Sequence, residues 1–520
     1  MNFMSRRSNV AVLVIGTLVA VCAETNTVAR GTLTIQTVDS ATKKPIPARI
    51  HIKDHEGKPV QVPRITFWKD HHTFDGQIRL SLRDGIYTFE IEHGPEYRVH
   101  RGNFVMNDGA KDTQQVLMRR FVNMAEEGWY SGDMHIHRPV KDVPLLMKAE
   151  DLYVAPVITW WNAKNLWQDE PPPESLLQKV EDEGRTRYMH VLAGEDERDG
   201  GALLYFNLPN VFDITRANWH YPSSMKFLMA IGSRHPTVHV DIEKPFWWDV
   251  PVWIASGRVH SIGICNNHMM RSKMLENEAW GKKRDERILP PPHGNGRWSQ
   301  QLYYKILNTG HRIAPSAGSA SGVLDNPVGY NRVYVHCGED FTYERWFENL
   351  RKGQVVVTNG PMMRPLVNGE LPGHIFEVAE GESIDLEASL NLSLREKVEY
   401  LEIVKNGEVV EHVRLQDYAQ KGGRLPSVHF EKSGWMLIRC VTENEETYRF
   451  ASSGPFYVEV GEKRRISAES TQFFVGWLKE RGEAIANEEK LSQEQKDDLM
   501  RYYTGARQYW ESLNKASNAP

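Results

Sequence analysis

The sequence predicts an α/β protein: a (β/α) barrel at residues 121–360, flanked by two small β-sandwich segments at 30–120 and 361–460. A helical segment at 466–516 is expected to pack on this body. Between 121 and 360, short apolar runs alternate with helix-like stretches, which is typical of parallel strands joined by crossover helices. Several of these runs end in polar residues, as expected when a site lies at the carboxyl ends of barrel strands.

Length and charge narrow the class of protein. A chain of 520 residues exceeds one ordinary domain, so we expect about three or four. The formal net charge of -5 gives no sign of the basic surface that binds nucleic acid, so nucleic acid is not expected as a partner. The 15 Trp and 19 Tyr would suit an aromatic cleft for a sugar, although filling a core is the default role of such residues.

The first 23 residues have the pattern of a secretory signal peptide. Arg6 and Arg7 form a basic start, and residues 10–21 form an apolar run too short to span a bilayer comfortably. Lipidation at Cys22 is a weaker alternative, because valine is a poor residue before a lipidated cysteine, and an uncleaved anchor is also open. No later stretch is long and apolar enough to span a membrane. We expect an exported protein, periplasmic or extracellular.

The segment at 30–120 shows the alternating pattern of a β-sandwich. His71 and His72 are adjacent and cannot face one site from a regular strand, so we assign no chemistry to them. The segment resembles the carboxypeptidase-regulatory-like sandwiches that accompany secreted hydrolases.

The motif with the most chemical content is Gly-Asp-Met-His-Ile-His at residues 132–137. In an extended strand, residues two apart point to the same side, so His135 and His137 can present two imidazoles to one divalent metal. Asp133 is close enough to support them. Alone the motif is weak, because most such pairs are surface or core histidines, and it needs further ligands elsewhere in the chain.

Further motifs occur downstream in a fixed order: Ala-Gly-Glu at 193–195, then residues 310–319 and 351–361. Together with the histidine motif, they make roughly residues 125–375 similar to the CehA/McbA-type metallohydrolases of the PHP (polymerase and histidinol phosphatase) superfamily. The resemblance implies a distorted (β/α) barrel with two or three divalent metals. It implies hydrolysis of phosphoesters or, in some members, of amide or carbamate bonds.

The resemblance also assigns residues to roles. His135 and His137 match its first metal motif, and Glu195 matches a carboxylate that bridges two metals. His239 matches a later histidine ligand, and His268 is a looser candidate near the same face. In a hydrolase, His268 could also be a proton donor. With a single metal, Glu195 could instead be a general base.

The chain departs from the family pattern at two places. Residues 159–162, Thr-Trp-Trp-Asn, stand where an Asp-His pair is usual, and residues 319–322, Ser-Ala-Ser-Gly, replace a further Asp and His. We therefore expect fewer metals than in the family, namely one Zn or Mn. Three protein ligands and a water suffice for a catalytic zinc.

Two functions follow. The first is a secreted metal-dependent hydrolase acting through metal-activated water on a phosphoester, ester or amide of a small molecule or glycan. Arg138 could hold an anionic substrate group or form a surface salt bridge, and Asn267 is a further substrate contact.

The alternative is a catalytically impaired barrel that binds a carbohydrate or small ligand, with Trp160 and Trp161 in an aromatic cleft or merely filling space. A cell-surface scaffold is a third, weaker idea. The oligomeric state stays open.

Overall fold

The computed structural model of this chain describes residues 30–162, 164–182, 184–211, 218–398 and 400–520. The predicted signal peptide at 1–23 lies outside these residues. Within them, strands dominate, with 29 β-strands and eight α-helices. None of the described helices combines the length and apolar character that crossing a bilayer requires.

The N-terminal segment consists of two facing sheets around one apolar core. The strands are β1 (Arg30–Asp39), β2 (Ala48–Lys53), β3 (Thr66–Trp68), β4 (His71–Phe74), β5 (Gln77–Arg83), β6 (Gly85–Glu92), β7 (His100–Met106) and β8 (Lys111–Met118). One sheet has the order β5-β1-β8 and the other β3-β4-β2-β6-β7. In β5, Ile78, Leu80 and Leu82 are buried between exposed neighbours, which is the period-two pattern of a half-buried strand. The β-sandwich character expected here is therefore present.

The described residues in the middle of the chain form eleven strands and five α-helices. The strands are β9 (Trp129–Gly132), β10 (Val154–Trp161), β11 (Lys164–Asn165), β12 (Leu177–Asp182), β13 (Arg185–Arg198), β14 (Gly201–Phe206), β15 (His239–Ile242), β16 (Ser261–Cys265), β17 (Ala314–Ala317), β18 (Arg332–His336) and β19 (Val355–Thr358). The helices are α1 (Val143–Ala149), α2 (Ser224–Arg234), α3 (Val250–Ala255), α4 (Gly294–Asn308) and α5 (Tyr343–Arg351).

The C-terminal part adds ten strands and three helices. The strands are β20 (Met362–Val367), β21 (Ile375–Val378), β22 (Ile384–Leu386), β23 (Ala388–Ser393), β24 (Tyr400–Lys405), β25 (Glu408–Arg414), β26 (Val428–Phe430), β27 (Gly434–Val441), β28 (Phe450–Ser453) and β29 (Phe456–Val460). The helices are α6 (Leu415–Gln420), α7 (Ala468–Ala486) and α8 (Gln493–Lys515). The α7 helix is capped by Ser467 and packs on α4, while α8 packs on α3.

The predicted (β/α) barrel is wrong. The largest sheet closes on itself, but it is mixed: β10 pairs in parallel with β9 and β13, and β15, β16 and β17 are parallel, whereas β12 to β15 and β18 to β19 are antiparallel. The sheet also continues past residue 360, because β28 pairs with β19. An apolar run with a polar end is compatible with either strand direction, so the sequence pattern did not determine the topology.

Candidate metal centre

The histidine motif lies directly after β9 and bends at Met134. Ile136 forms isolated bridges with Val157 on one side and Ser321 on the other. Met134 and Ile136 are buried in apolar clusters, so the alternate residues His135 and His137 share the opposite side. The two imidazoles are therefore brought together by ordinary strand geometry.

Asp133 fixes the main chain of this motif. Its Oδ1 accepts hydrogen bonds from the backbone N–H groups of His135 and Ser319, each at 3.0 Å, and its Oδ2 accepts one from Gly329 at 2.7 Å. The side chain is fully buried. Asp133 thus supports the histidines through backbone hydrogen bonds and joins three segments of the chain.

Three potential ligand atoms converge beside the motif. His135 Nε2 lies 2.9 Å from His137 Nε2, and Glu195 Oε2 lies 3.5 Å from the first nitrogen and 3.1 Å from the second. Ligands of a tetrahedral metal at its usual bond lengths are about 3.3 Å apart, so the spacing fits one ion. Two imidazoles and a carboxylate suit zinc or manganese, and all three side chains are buried.

A second acid supports His135. Glu243 Oε1 lies 3.4 Å from His135 Nδ1, on the side of the ring away from Glu195. An acid placed at this nitrogen favours the tautomer whose Nε2 is free to bind a metal. Glu243 is itself held by the Lys244 ammonium, by Asn267 Nδ2 at 3.0 Å and by Trp247 Nε1 at 2.8 Å.

The charges of this cluster shift its pKa values strongly. Burial disfavours the charged form of His135, but the carboxylates of Glu195 and Glu243 outweigh it and raise its pKa to about 10. Burial likewise opposes ionisation of Glu195, yet His135 and His137 hold its pKa far below its usual value. For His137, burial dominates and lowers the pKa. The metal-free cluster is therefore a protonated His135 between two carboxylates.

Glu197 is an acid suited to proton transfer. It lies two residues after Glu195 on β13, so it faces the same side of the strand. Burial, together with the negative charges of Glu195 and Glu243, raises its pKa to about 7. A group that titrates near neutral pH can both accept and release a proton under ordinary conditions.

Two predicted site residues lie elsewhere. His239, expected as a metal ligand, lies at the start of β15, where its Nε2 is 2.7 Å from Ser261 Oγ and its ring packs on Phe347. The acid that reaches the cluster is Glu243, four residues further along the same face. His268, expected as a proton donor, is 2.8 Å from the Asn277 carbonyl oxygen, and burial lowers its pKa to about 3. It is therefore neutral at neutral pH and a poor acid.

The predicted substrate contacts divide into two groups. Trp161 and Asn267 are at the centre: the Trp161 ring is 5.0 Å from that of His137, and Asn267 bonds Glu243. Trp160 is buried in the core against Gly194, where a Cβ atom would come within 1.9 Å of the indole. Arg138 is also buried, under the Trp68 ring, and its Nε and Nη1 have no hydrogen-bond partner among the described residues.

Sequence reasoning missed Glu197, Glu243 and Lys244. A signal for two of them was present, because Glu197 follows Glu195 by two residues and Glu243 follows His239 and Asp241 at the same spacing. Side chains two residues apart on a strand lie on the same face, so both acids lie on strand faces that already carried candidate site residues. Lys244 had no such signal, since it departs from the alternation.

A second group of this composition occurs in the N-terminal sandwich. His51 Nδ1 and His71 Nδ1 lie 3.2 and 2.8 Å from the Asp70 carboxylate. His71 therefore does face polar groups on neighbouring residues of the sheet. The sequence did not indicate this, because only the adjacent pair His71 and His72 was considered. However, the Arg49 guanidinium contacts His51 Nε2 and both histidines already have a partner in Asp70, so a cation is not needed here.

No protein-family model matches the chain, and no curated protein matches it. BcpA, the major pilin subunit of Bacillus cereus, aligns at 20% identity over 18% of this chain and 31% of that chain, with a TM-score of 0.15. The Bacillus anthracis TIE protein aligns at 22% identity over 22% of this chain and 20% of that chain, also at 0.15. Thus the chain spans less than a third of either protein.

Bacteroides uniformis beta-glucuronidase 3 aligns over more of the chain. The identity is 9% over 83% of this chain and 63% of that chain, with a TM-score of 0.16. At these TM-scores none of the three structures supports a conclusion about fold or function.

Proposed function

We propose that this protein is a metal-dependent hydrolase with one divalent ion, zinc or manganese, held by His135, His137 and Glu195. The observation that supports it is the buried convergence of three ligand atoms within 3.5 Å of one another. The motif resemblance to CehA/McbA-type metallohydrolases involves the same three residues. The substrate class is a phosphoester, ester or amide of a small molecule or glycan, and the signal-like residues 1–23 favour export to the periplasm or beyond.

A single ion is favoured by Lys244. Its ammonium is buried against both oxygens of Glu243, so a positive charge already balances that carboxylate where a second cation would bind. The bound ion would polarise the scissile group and lower the pKa of water. Within the chain, Glu197 would accept a proton from the attacking water or release one to the leaving group.

The alternative, a ligand-binding module without catalysis, draws on the aromatic residues. Trp161 lies against His137 and could stack on a sugar ring. However, Trp160 and Trp247 are in the core, so the tryptophans do not form a shared cleft. A ligand that binds without turnover in the metal-loaded protein would favour this function.

Hydrolysis of a panel of phosphoesters, esters and amides by the zinc- or manganese-loaded protein tests the proposal. We expect turnover of at least one class, and we expect Glu197→Gln to lower kcat about a hundredfold. The exposed Glu382→Gln is the matched control and should leave kcat unchanged. Stoichiometric metal with no turnover of any class would contradict the hydrolase.

Metal affinity is expected to increase with pH, because a proton and the metal compete for His135 Nε2. The pKa of about 10 means that His135 is protonated at neutral pH and must lose this proton on binding. Between about pH 6 and pH 8, the apparent Kd for zinc should fall about tenfold per pH unit. Competition with a chromophoric chelator measures it, and a pH-independent Kd would show that no proton is displaced.

A further inference from the structure

A strongly basic cavity lies where the N-terminal sandwich, the closed sheet and the C-terminal strands meet. We call it the junction cavity; it has a volume of about 230 Å³ and is lined by seven arginines and three glutamates. Glu90, which pairs with two of these arginines, adds a fourth carboxylate. These residues around the cavity therefore carry three more positive than negative charges.

Carboxylates are shared among these guanidinium groups. Glu92 alone pairs with Arg49 at 3.2 Å, with Arg271 at 2.9 Å and with Arg395 at 2.8 Å. Despite its burial, these three cations hold the pKa of Glu92 well below its usual value. Arg49 also pairs with Glu150, and Arg271 also pairs with Glu90, so these three guanidinium groups share three carboxylates. The positive charge left over in the cavity therefore lies on its other arginines.

Other arginines of the cavity have no carboxylate at all among the described residues. Arg332 is buried and donates only to the carbonyl oxygens of Gly329, at 2.6 Å, and Glu150, at 3.1 Å, while its Nη1 has no partner. Arg98 donates only to the Leu394 carbonyl oxygen at 3.1 Å. Buried guanidinium N–H groups without an acceptor are costly, and an anion in the cavity would supply acceptors.

We propose that the junction cavity is a binding site for a multiply charged oxyanion of the phosphate-ester class. Guanidinium groups match tetrahedral oxyanions through paired N–H donors, and several of them converge here on one space. A volume of about 230 Å³ far exceeds that of a single water, about 10–15 Å³ by the same measure, and admits a phosphate with a small organic group. None of the residues of the metal centre lines the cavity, so the site is independent of the proposed hydrolase.

Calorimetric titration of the full chain with inorganic phosphate, pyrophosphate and glycerol phosphate tests the site, with sodium chloride at equal ionic strength as the blank. We expect saturable binding of at least one phosphate probe, weakened about tenfold by Arg98→Gln and by Arg395→Gln. Arg98 is exposed and its replacement should not disturb folding. The exposed Arg79→Gln, on β5 and outside the cavity, is the matched control and should bind as the wild type does.

The His137→Ala variant separates this site from the metal centre. Phosphate binding that persists in His137→Ala and weakens in Arg98→Gln supports the junction cavity. Binding that is lost in His137→Ala but unchanged in Arg98→Gln and Arg395→Gln would locate the anion at the metal centre and overturn the proposal. Absence of saturable binding in the wild type would overturn it as well.

Discussion

The His137→Ala variant is expected to lose its metal, while the wild type retains about one ion per chain. The substitution removes one of three protein ligands and leaves only His135 and Glu195. Loss of an outer partner of a metal ligand alone lowers affinity about 10- to 100-fold, so loss of the ligand itself should exceed a hundredfold. Hydrolysis of any substrate found should fall by about a thousandfold or more, because the ion supplies most of the chemistry.

Metal analysis of the purified protein after dialysis against zinc measures this effect. His55→Ala is the matched control, since His55 is largely exposed in the N-terminal sandwich, and it should retain the wild-type stoichiometry. Circular dichroism shows whether His137→Ala is folded, because His137 also contacts the Trp161 ring. Equal, substoichiometric metal in the wild type and in both variants would show that the three atoms do not form a metal site.

The core of this centre was predictable because its geometry is local. His135 and His137 are related by strand alternation alone, and Glu195 ends an apolar run that pairs with β10. The supporting acid Glu243 was harder to find, because its contact with His135 depends on how β15 lies in the closed sheet. His239, the residue expected from the sequence, lies four positions before Glu243 and contacts Ser261 instead.

The predicted fold class, a (β/α) barrel, was wrong for a different reason. Periodicity reports which face of a strand is buried but not the direction of its neighbour. The Asp199-Gly200 pair is a hairpin signal in the sequence, and β13 and β14 do pair antiparallel across it. The junction cavity was beyond sequence reasoning, because Arg49, Arg271 and Arg395 come from three distant parts of the chain.

Asp133→Ala is expected to be the most destabilising change near the centre. It leaves three buried backbone N–H groups, those of His135, Ser319 and Gly329, without their acceptor. Each such group costs about 1–3 kcal/mol, and with partial relaxation we expect a loss of about 3–6 kcal/mol in the free energy of unfolding. That is a large fraction of the total for a typical domain, about 5–15 kcal/mol.

Asp133→Asn distinguishes lost acceptors from lost volume. Its remaining carbonyl oxygen can still accept from His135 and Ser319, but its NH₂ would face the N–H of Gly329, so we expect an intermediate loss of about 1–3 kcal/mol. Urea unfolding of both variants and of the exposed control Asp169→Ala measures the order. An Asn variant as unstable as the Ala variant would mean that the negative charge of Asp133, and not the count of its hydrogen bonds, stabilises the motif. An Ala variant as stable as the control would show that neither does, and that the position of His135 is set by the strands on either side of Ile136 alone.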